Sequence, residues 1–555
     1  MKHGQYRRWL RFEIAPLLLG ALLFVVNEAP VLRGYLAPPP GYTGSLLPQS
    51  MDHLQYLTWI NGYRHTRGWL IPDYNAPWTT EPALLNPFCW FIGRTSALFG
   101  VDPLWIYHLL FLALSIAGGY ALFFALRAFT CSRTQARVAL LFSLCCVPVA
   151  SVLALSRYVF GTASPWLGVI LWASKVHGRY TSDGLGDGIS GSPLVLFGTV
   201  TTLLCMGLLA KYLTTNRTAY LRWAGLVAGF SAFVHPFEIF VIAGAGGLAL
   251  VIRKDRPWWQ AARDAACLVL PGLAGMTPYL YLALRHPWLK EAAVQNRWDA
   301  WASFPPPMLV LLLGFPAVFC IVSFILPLER RSVTDLLLLL WFGVTLVGVY
   351  VRWIPWSHHL LDGVHYAIGL LLARQAARSS FMRGLWTARP LLVRSLLGTF
   401  LILSLAARAV YLTDAIAAAT VAGGSNSMVM STADRAVLAW LREHAGAGQL
   451  VLAPQSSCGW FATVPMHSFA SHWLFSLTWD QQMRLSEAFY RGTLDLGAAE
   501  SLLTDFGVGY VVVPKHSPAE RYFSGQAPVM RIESTAIYRI SNTGLRPLPS
   551  LSHPR

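Results

Sequence analysis

Asp52 and Tyr56 stand four residues apart in SMDHLQYLTWINGYRH, a spacing that puts both on one face of a short helix. A carboxylate held just outside a bilayer, among aromatic side chains, suits a general base. It can take the proton of an acceptor hydroxyl as that oxygen attacks a sugar carbon. Aspartate is also among the best helix N-caps, so a surface cap is the competing reading. Leu54, Leu57 and Ile60 of the same stretch are expected on the membrane surface. Glu81, in WTTEPALLNP, is a second loop carboxylate, available to assist Asp52, to orient an acceptor or to cap the helix that follows. No carboxylate pair of the glycosidase kind is identifiable.

Further polar residues lie within or beside apolar runs, where they are expensive and therefore functional or paired. They are Glu28, the His235 and Glu238 that flank Pro236, and the group Arg352, His358, His359, Asp362 and His365. Arg352 with His358 or His359 suits a phosphate, which needs cationic or hydrogen-bonding groups to hold it and to stabilise it as a leaving group. The competing reading has Arg352 snorkelling to the interface and Asp362 paired structurally with a histidine. His467, His472 and Asp480 lack metal spacing, and Trp460, Trp473 and Trp479 suit a domain core. The eight cysteines contain no CxxC and read as packing residues, so no metal ligands are assigned.

The elements that carry these residues must sit in lipid. Of 555 residues, 55% are hydrophobic and 12% charged, with a mean hydropathy of +0.48. Soluble domains carry about 25% charged residues. The net charge of +17 lies in short basic clusters between apolar runs. That is the positive-inside pattern of a membrane protein and excludes a nucleic-acid footprint. Lys2, Arg7, Arg8 and Arg11 precede an apolar stretch, 15–32, too long for a signal peptide's core and read as a retained first helix with a cytoplasmic N-terminus. Residues 34–103 form a large external loop rich in Pro, Trp and Tyr.

Further spans are expected at 104–126, 138–155, 193–210, 265–284, 308–327, 336–354, 364–373 and 395–412. The run 223–252 is too long for one helix, and His235-Pro236 divides it into two. The sum is about 11 membrane helices in a polytopic α-helical domain, 1–412, followed by a small extracytoplasmic α/β domain, 413–555. In that tail DRAVLAWLREHA has helical spacing, QLVLAP and GYVVVP read as strands, and AAESLLTDFG as a helix ending at glycine.

This arrangement resembles the GT-C superfamily of polytopic glycosyltransferases, in which a first helix leads into a large external loop bearing D-x-x-x-Y or D-E-x-x-Y. MDHLQYL matches the first form at Asp52 and Tyr56, with His53 where the second acid would stand. LLNPFCWFIGRTSALFGVDPLWIYHLL resembles the run that leads into the second span. The resemblance implies an inverting enzyme that moves a hexosyl or pentosyl group from a polyprenyl-phosphate donor. The acceptor would be a glycan, lipid or protein on the external face of a bacterial inner membrane. It implies Asp52 as base, substrate contacts from Tyr56, His235, Glu238, Arg297, Arg352, His358, His359 and Asp362, and no certain cofactor, a divalent cation being admissible. The alternatives are a transporter or flippase for lipid-linked saccharides, which should show polar residues along a whole path and internal repeats, and a non-catalytic assembly protein of the same fold.

Overall fold

The computed structural model describes residues 3–46, 51–74, 81–130, 132–145, 192–253, 255–286, 289, 313, 317, 320–321, 332–351, 354, 357–379, 384–385, 387–421, 428–446, 449–455, 457, 466–469, 479–532 and 534–540. In chain order the elements are α1 (His3–Leu36), β1 (Tyr42–Gly44), α2 (Met51–His65), α3 (Pro87–Phe99), α4 (Pro103–Phe129), α5 (Arg133–Cys145), α6 (Pro193–Thr215), α7 (Thr218–Val234) and α8 (Glu238–Val251). They continue with α9 (Trp258–Arg285), α10 (Val333–Gly348), α11 (Val364–Arg378), α12 (Pro390–Ala418), β2 (Val429–Ser431), α13 (Thr432–His444), β3 (Leu450–Leu452) and β4 (His467–Ser468). The last are α14 (Trp479–Tyr490), α15 (Leu496–Asp505), β5 (Val508–Pro514), β6 (Met530–Ile532) and β7 (Thr535–Arg539).

Four of the described helices are long and apolar enough to cross a membrane: Ile14–Leu36 within α1, then α4, α6 and α9. Three shorter apolar helices join them, α8, α10 and Pro390–Leu403 within α12. The expected spans at 138–155 and 308–327 fall largely outside the described residues. The chain divides into two compact units, one of residues 1–28, 108–278 and 298–414, the other of 29–107, 279–297 and 415–555.

The first unit is helical. Its core joins Leu203, Met206, Leu209 and Tyr212 of α6 to Ala224, Ala228 and Ala232 of α7, and to Leu337, Trp341 and Phe342 of α10. Small residues bring backbones together, as expected where lipid supplies no hydrophobic drive between helices. A Cβ at Gly225 of α7 would run into the Cys267 carbonyl of α9. At one set of helix ends, Ser332 and Asp335 form a capping box at the start of α10. Asp335 also receives Arg374 and Arg378 of α11, and Arg374 reaches the Phe129 carbonyl at the end of α4. Tyr212 and Arg256 both donate to Asp264, tying α6 to α9, and Arg256 and Arg253 each reach Asn216 at 2.9 Å. Glu28 of α1 is held by His108 of α4 at 3.0 Å.

The second unit is built on a five-stranded sheet in the order β4-β3-β5-β7-β6. β3 is parallel to both β4 and β5, and β7 is antiparallel to both β5 and β6. Strand periodicity divides the core: Val511 and Val513 of β5 face one cluster with Leu502 and Leu503 of α15, while Tyr510 and Val512 face another with Val437 and Leu441 of α13. Helix α13 is capped by Ser431, whose oxygen accepts from Asp434 N at 2.9 Å.

The segment 34–103 belongs to this unit. β1 pairs antiparallel with β2, and Ser468 N donates to the Tyr74 carbonyl at 2.9 Å. Leu54 of α2 lies in the same cluster as Val451, Tyr510 and Val512. The expectation that Leu54, Leu57 and Ile60 meet the membrane surface is therefore corrected. They are 7%, 6% and 0% exposed because α2 turns that face into protein.

Asp335→Ala removes the shared acceptor of two arginines and leaves Arg374 buried without its carboxylate. We expect a loss of about 3–5 kcal/mol in stability, read as a lowered midpoint in thermal denaturation of the detergent-solubilised protein; an unchanged midpoint would contradict the role given to this network.

Candidate functional site

Within the helical unit, Pro236 breaks the chain between α7 and α8. Pre-proline sterics hold His235 extended, at φ −141 and ψ 96, so α7 ends there. The helix restarts at Glu238, and its backbone passes through a π-helical stretch, Ile242–Gly247. Turning the chain this way presents His235 to Glu238, with Nδ1 2.6 Å from Oε1. With the carboxylate oxygen as acceptor, the ring Nδ1–H is the donor. A second pair is built the same way on the 3₁₀ turn Ser357–Leu361, where His359 Nδ1 lies 3.1 Å from Asp362 Oδ2.

The two pairs meet. The His235 and His359 rings are 5.3 Å apart, edge to face, and Phe237 stacks on His359 at 4.8 Å. Glu238 is 3% exposed and Asp362 6%. Gly198 of α6 makes room for this, because a Cβ there would occupy the place of the Glu238 carboxylate. Thr199 approaches from the same helix, its methyl 3.7 Å from where a Cβ on Gly363 would stand. Neither Gly198 nor Thr199 is evident as a site residue in the sequence, and the signal that points to them is the polar run GTVTT inside an apolar span.

Among the described residues, then, His235, Glu238, His359 and Asp362 come together in one cluster, where the sequence sets them in two separate groups. Arg352 and Arg297 lie outside the described residues, and so does the side chain of His358. His365 is buried with its ring 4.2 Å from Tyr366.

The second unit carries the loop residues. Asp52 is the second residue of α2, inside the first turn rather than before it, and its side chain lies outside the described part of the structure. Tyr56 is half-buried between His53 and Trp59, with ring centroids at 6.3 and 6.0 Å. Glu81 is 82% exposed in its side chain and sits 3.8 Å from His286. It does not cap the next helix, since Asn86 does, accepting from Cys89 N at 3.0 Å with Pro87 at the first helical position.

Tyr63 links the two loop helices. Fully buried on α2, it donates to the Leu84 carbonyl at 3.0 Å and accepts from Asn86 N at 2.8 Å. Burial pushes its phenol well above its usual pKa, so it stays protonated and can serve both partners. No group of three or more His, Cys, Asp or Glu side chains among the described residues could hold a metal ion.

Neither a protein-family model nor a curated protein sequence matches the chain. Its fold is similar to that of the Archaeoglobus fulgidus oligosaccharyltransferase, in a crystal structure with zinc and sulfate. The TM-score is 0.51 at 14% identity, over 90% of this chain and 68% of that one. It is similar also to the mycobacterial arabinofuranosyltransferase AftD, with a TM-score of 0.51 at 14% identity, over 96% of this chain and 41% of that one. Both are GT-C glycosyltransferases, and the chain has the GT-C fold.

Tyr63→Phe leaves the Leu84 carbonyl without its donor and Asn86 N without its acceptor. We expect a loss of about 1–3 kcal/mol and faster amide hydrogen exchange at the start of α3; wild-type exchange there would remove Tyr63 as the link between the loop helices.

Proposed function

We propose that the protein is a membrane glycosyltransferase. It moves a sugar from a polyprenyl-phosphate-linked donor to a glycan, lipid or protein acceptor on the extracytoplasmic face of a bacterial inner membrane. The observation that carries this reading is the GT-C fold, shared over 90% and 96% of the chain with two enzymes whose names state glycosyl transfer. The Asp52–Tyr56 motif on the first loop helix supports it independently.

In the reaction, Asp52 accepts the proton of the acceptor hydroxyl as its oxygen attacks the anomeric carbon, with Tyr56 on the same helix face at the substrate and Glu81 assisting. The bond from that carbon to the phosphate oxygen breaks, and the electron pair leaves with the lipid phosphate. Arg352, with His358 and His359, holds that phosphate and stabilises the charge that develops on it. Arg297 contacts the lipid-linked substrate. A single displacement inverts the anomeric centre. A divalent cation is compatible with this reading, since the archaeal oligosaccharyltransferase structure was solved with zinc. The described residues offer such an ion no set of three ligands.

The test is transfer of radiolabelled sugar from a panel of polyprenyl-phosphate sugars into membranes containing the wild type or Asp52→Asn. Loss of the base should lower transfer by about 10²–10⁴-fold with the protein still present at wild-type level. Equal transfer by both would remove Asp52 as base and pass the role to Glu81, whereas no transfer by the wild type would count against the enzyme reading.

A further inference from the structure

Each carboxylate of the buried cluster uses one oxygen on its histidine and keeps the other. Glu238 Oε2 and Asp362 Oδ1 are both buried with no hydrogen-bond partner among the described residues, and Thr199 Oγ1 on the adjoining helix is in the same position. A buried acceptor left unmade is costly, more so when it carries charge. Such atoms are kept where something else supplies the donor. A carboxylate oxygen accepts the hydrogen bond of a hydroxyl group, whereas an ionised phosphate has no hydrogen to offer it. Histidines whose Nδ1 is held by a carboxylate are also fixed in orientation, so the cluster is a rigid frame with two buried acceptors left over.

We propose that Glu238 and Asp362 form a hydroxyl clamp for the sugar that the donor carries, distinct in chemistry from the groups that hold its phosphate. This rests on the glycosyl-transfer reading for the identity of the sugar's carrier. The clamp follows a phosphate site directly in the chain: Asp362 closes the turn that begins with Ser357 and carries His358 and His359. A sugar joined to a phosphate held by His359 meets the next acceptors along that turn. Thr199 completes the frame as a hydroxyl able to accept or donate. Because the frame reads hydroxyl positions, Glu238 and Asp362 set which sugar is accepted, while the phosphate-holding residues are indifferent to it.

The experiment uses the full-length protein in lipid nanodiscs and two kinds of probe. One is a panel of methyl glycosides, hexopyranosides and pentofuranosides, followed by saturation-transfer NMR. The other is undecaprenyl phosphate without a sugar, followed by its displacement of a fluorescent polyprenyl phosphate. The wild type should bind at least one glycoside. Glu238→Gln and Asp362→Asn should each weaken that binding about tenfold, while undecaprenyl phosphate binds both variants as tightly as the wild type or more tightly.

Three results would overturn the clamp. The first is glycoside binding unchanged in both variants, as expected if water alone satisfies the two oxygens. The second is weaker undecaprenyl phosphate binding, as expected if the carboxylates serve to charge phosphate-binding histidines. The third is a wild type that binds no glycoside. If one variant fails to fold, judged by size-exclusion profile, the other decides. Variant-sensitive glycoside binding with no sugar transfer from any donor would leave the clamp standing and remove the transferase; transfer with variant-insensitive binding does the reverse.

Discussion

An ionised side chain inside an apolar helical unit must be paired, and this constraint orders most of the first unit. Helices satisfy their own backbones in lipid, but carboxylates and guanidinium groups cannot satisfy themselves. Glu28 is answered by His108, Asp264 by Tyr212 and Arg256, and Asp335 by Arg374 and Arg378. His108, Tyr212 and the two arginines each reach across from another helix, and Arg256 adds to Asp264 from the turn before α9. The pairing that avoids a desolvation penalty therefore also fixes which helices are neighbours and how far one slides along another. The pair of Glu238 and Asp362 departs from this rule, since each is answered through one oxygen and by a histidine close to it in the chain. Those contacts join no distant helices, which is why the cluster reads as a site and the other networks as fastenings.

The second unit obeys a different constraint. A mixed sheet needs apolar cover on both faces, and here the tail supplies α14 and α15 for one face and α13 for the other. That second cover is completed by Leu54, from the far end of the chain. β1 against β2 and Tyr74 against His467 fasten the same loop again. The helix that carries Asp52 is thus held by a folded domain instead of resting on lipid. On the proposed reading of Asp52 as base, this support gives it precision, because a base on a loose loop spends little time within hydrogen-bond reach of its substrate.

How much of this was legible in the sequence follows from how local each cause is. The break at His235-Pro236 was legible because proline acts on its own backbone, and strand β5 and helix α15 because their periodicity and closing glycine are local as well. The apolar face of α2 was legible as a face but not as to its partner, since leucines that meet lipid and leucines that meet a distant sheet look the same. Cap choice failed at α3 for a geometric reason: Asn86-Pro87 starts the helix five residues beyond Glu81, out of its reach. Of the candidate site, His235 with Glu238 and His359 with Asp362 could be paired by spacing. That the two pairs meet, against Gly198 and Thr199, depends on tertiary packing that no spacing encodes.

His53 bears on what the loop helix can do. The resemblance to the GT-C pattern admits a second acid at this place, and the fold shows why its replacement is tolerable here. The His53 side chain is buried on α2 with its ring toward Tyr56. A carboxylate there would have to be paired or coordinated in a low-dielectric setting, whereas an imidazole can be buried neutral. Exchanging acid for histidine removes one negative charge from the head of the helix and leaves Asp52 as the carboxylate there. A single carboxylate in the first turn is favoured by the helix dipole and is poorly suited to bind a divalent ion alone. On the proposed reading, this local charge balance turns the head of α2 toward proton transfer rather than metal ligation, with the fold itself unchanged.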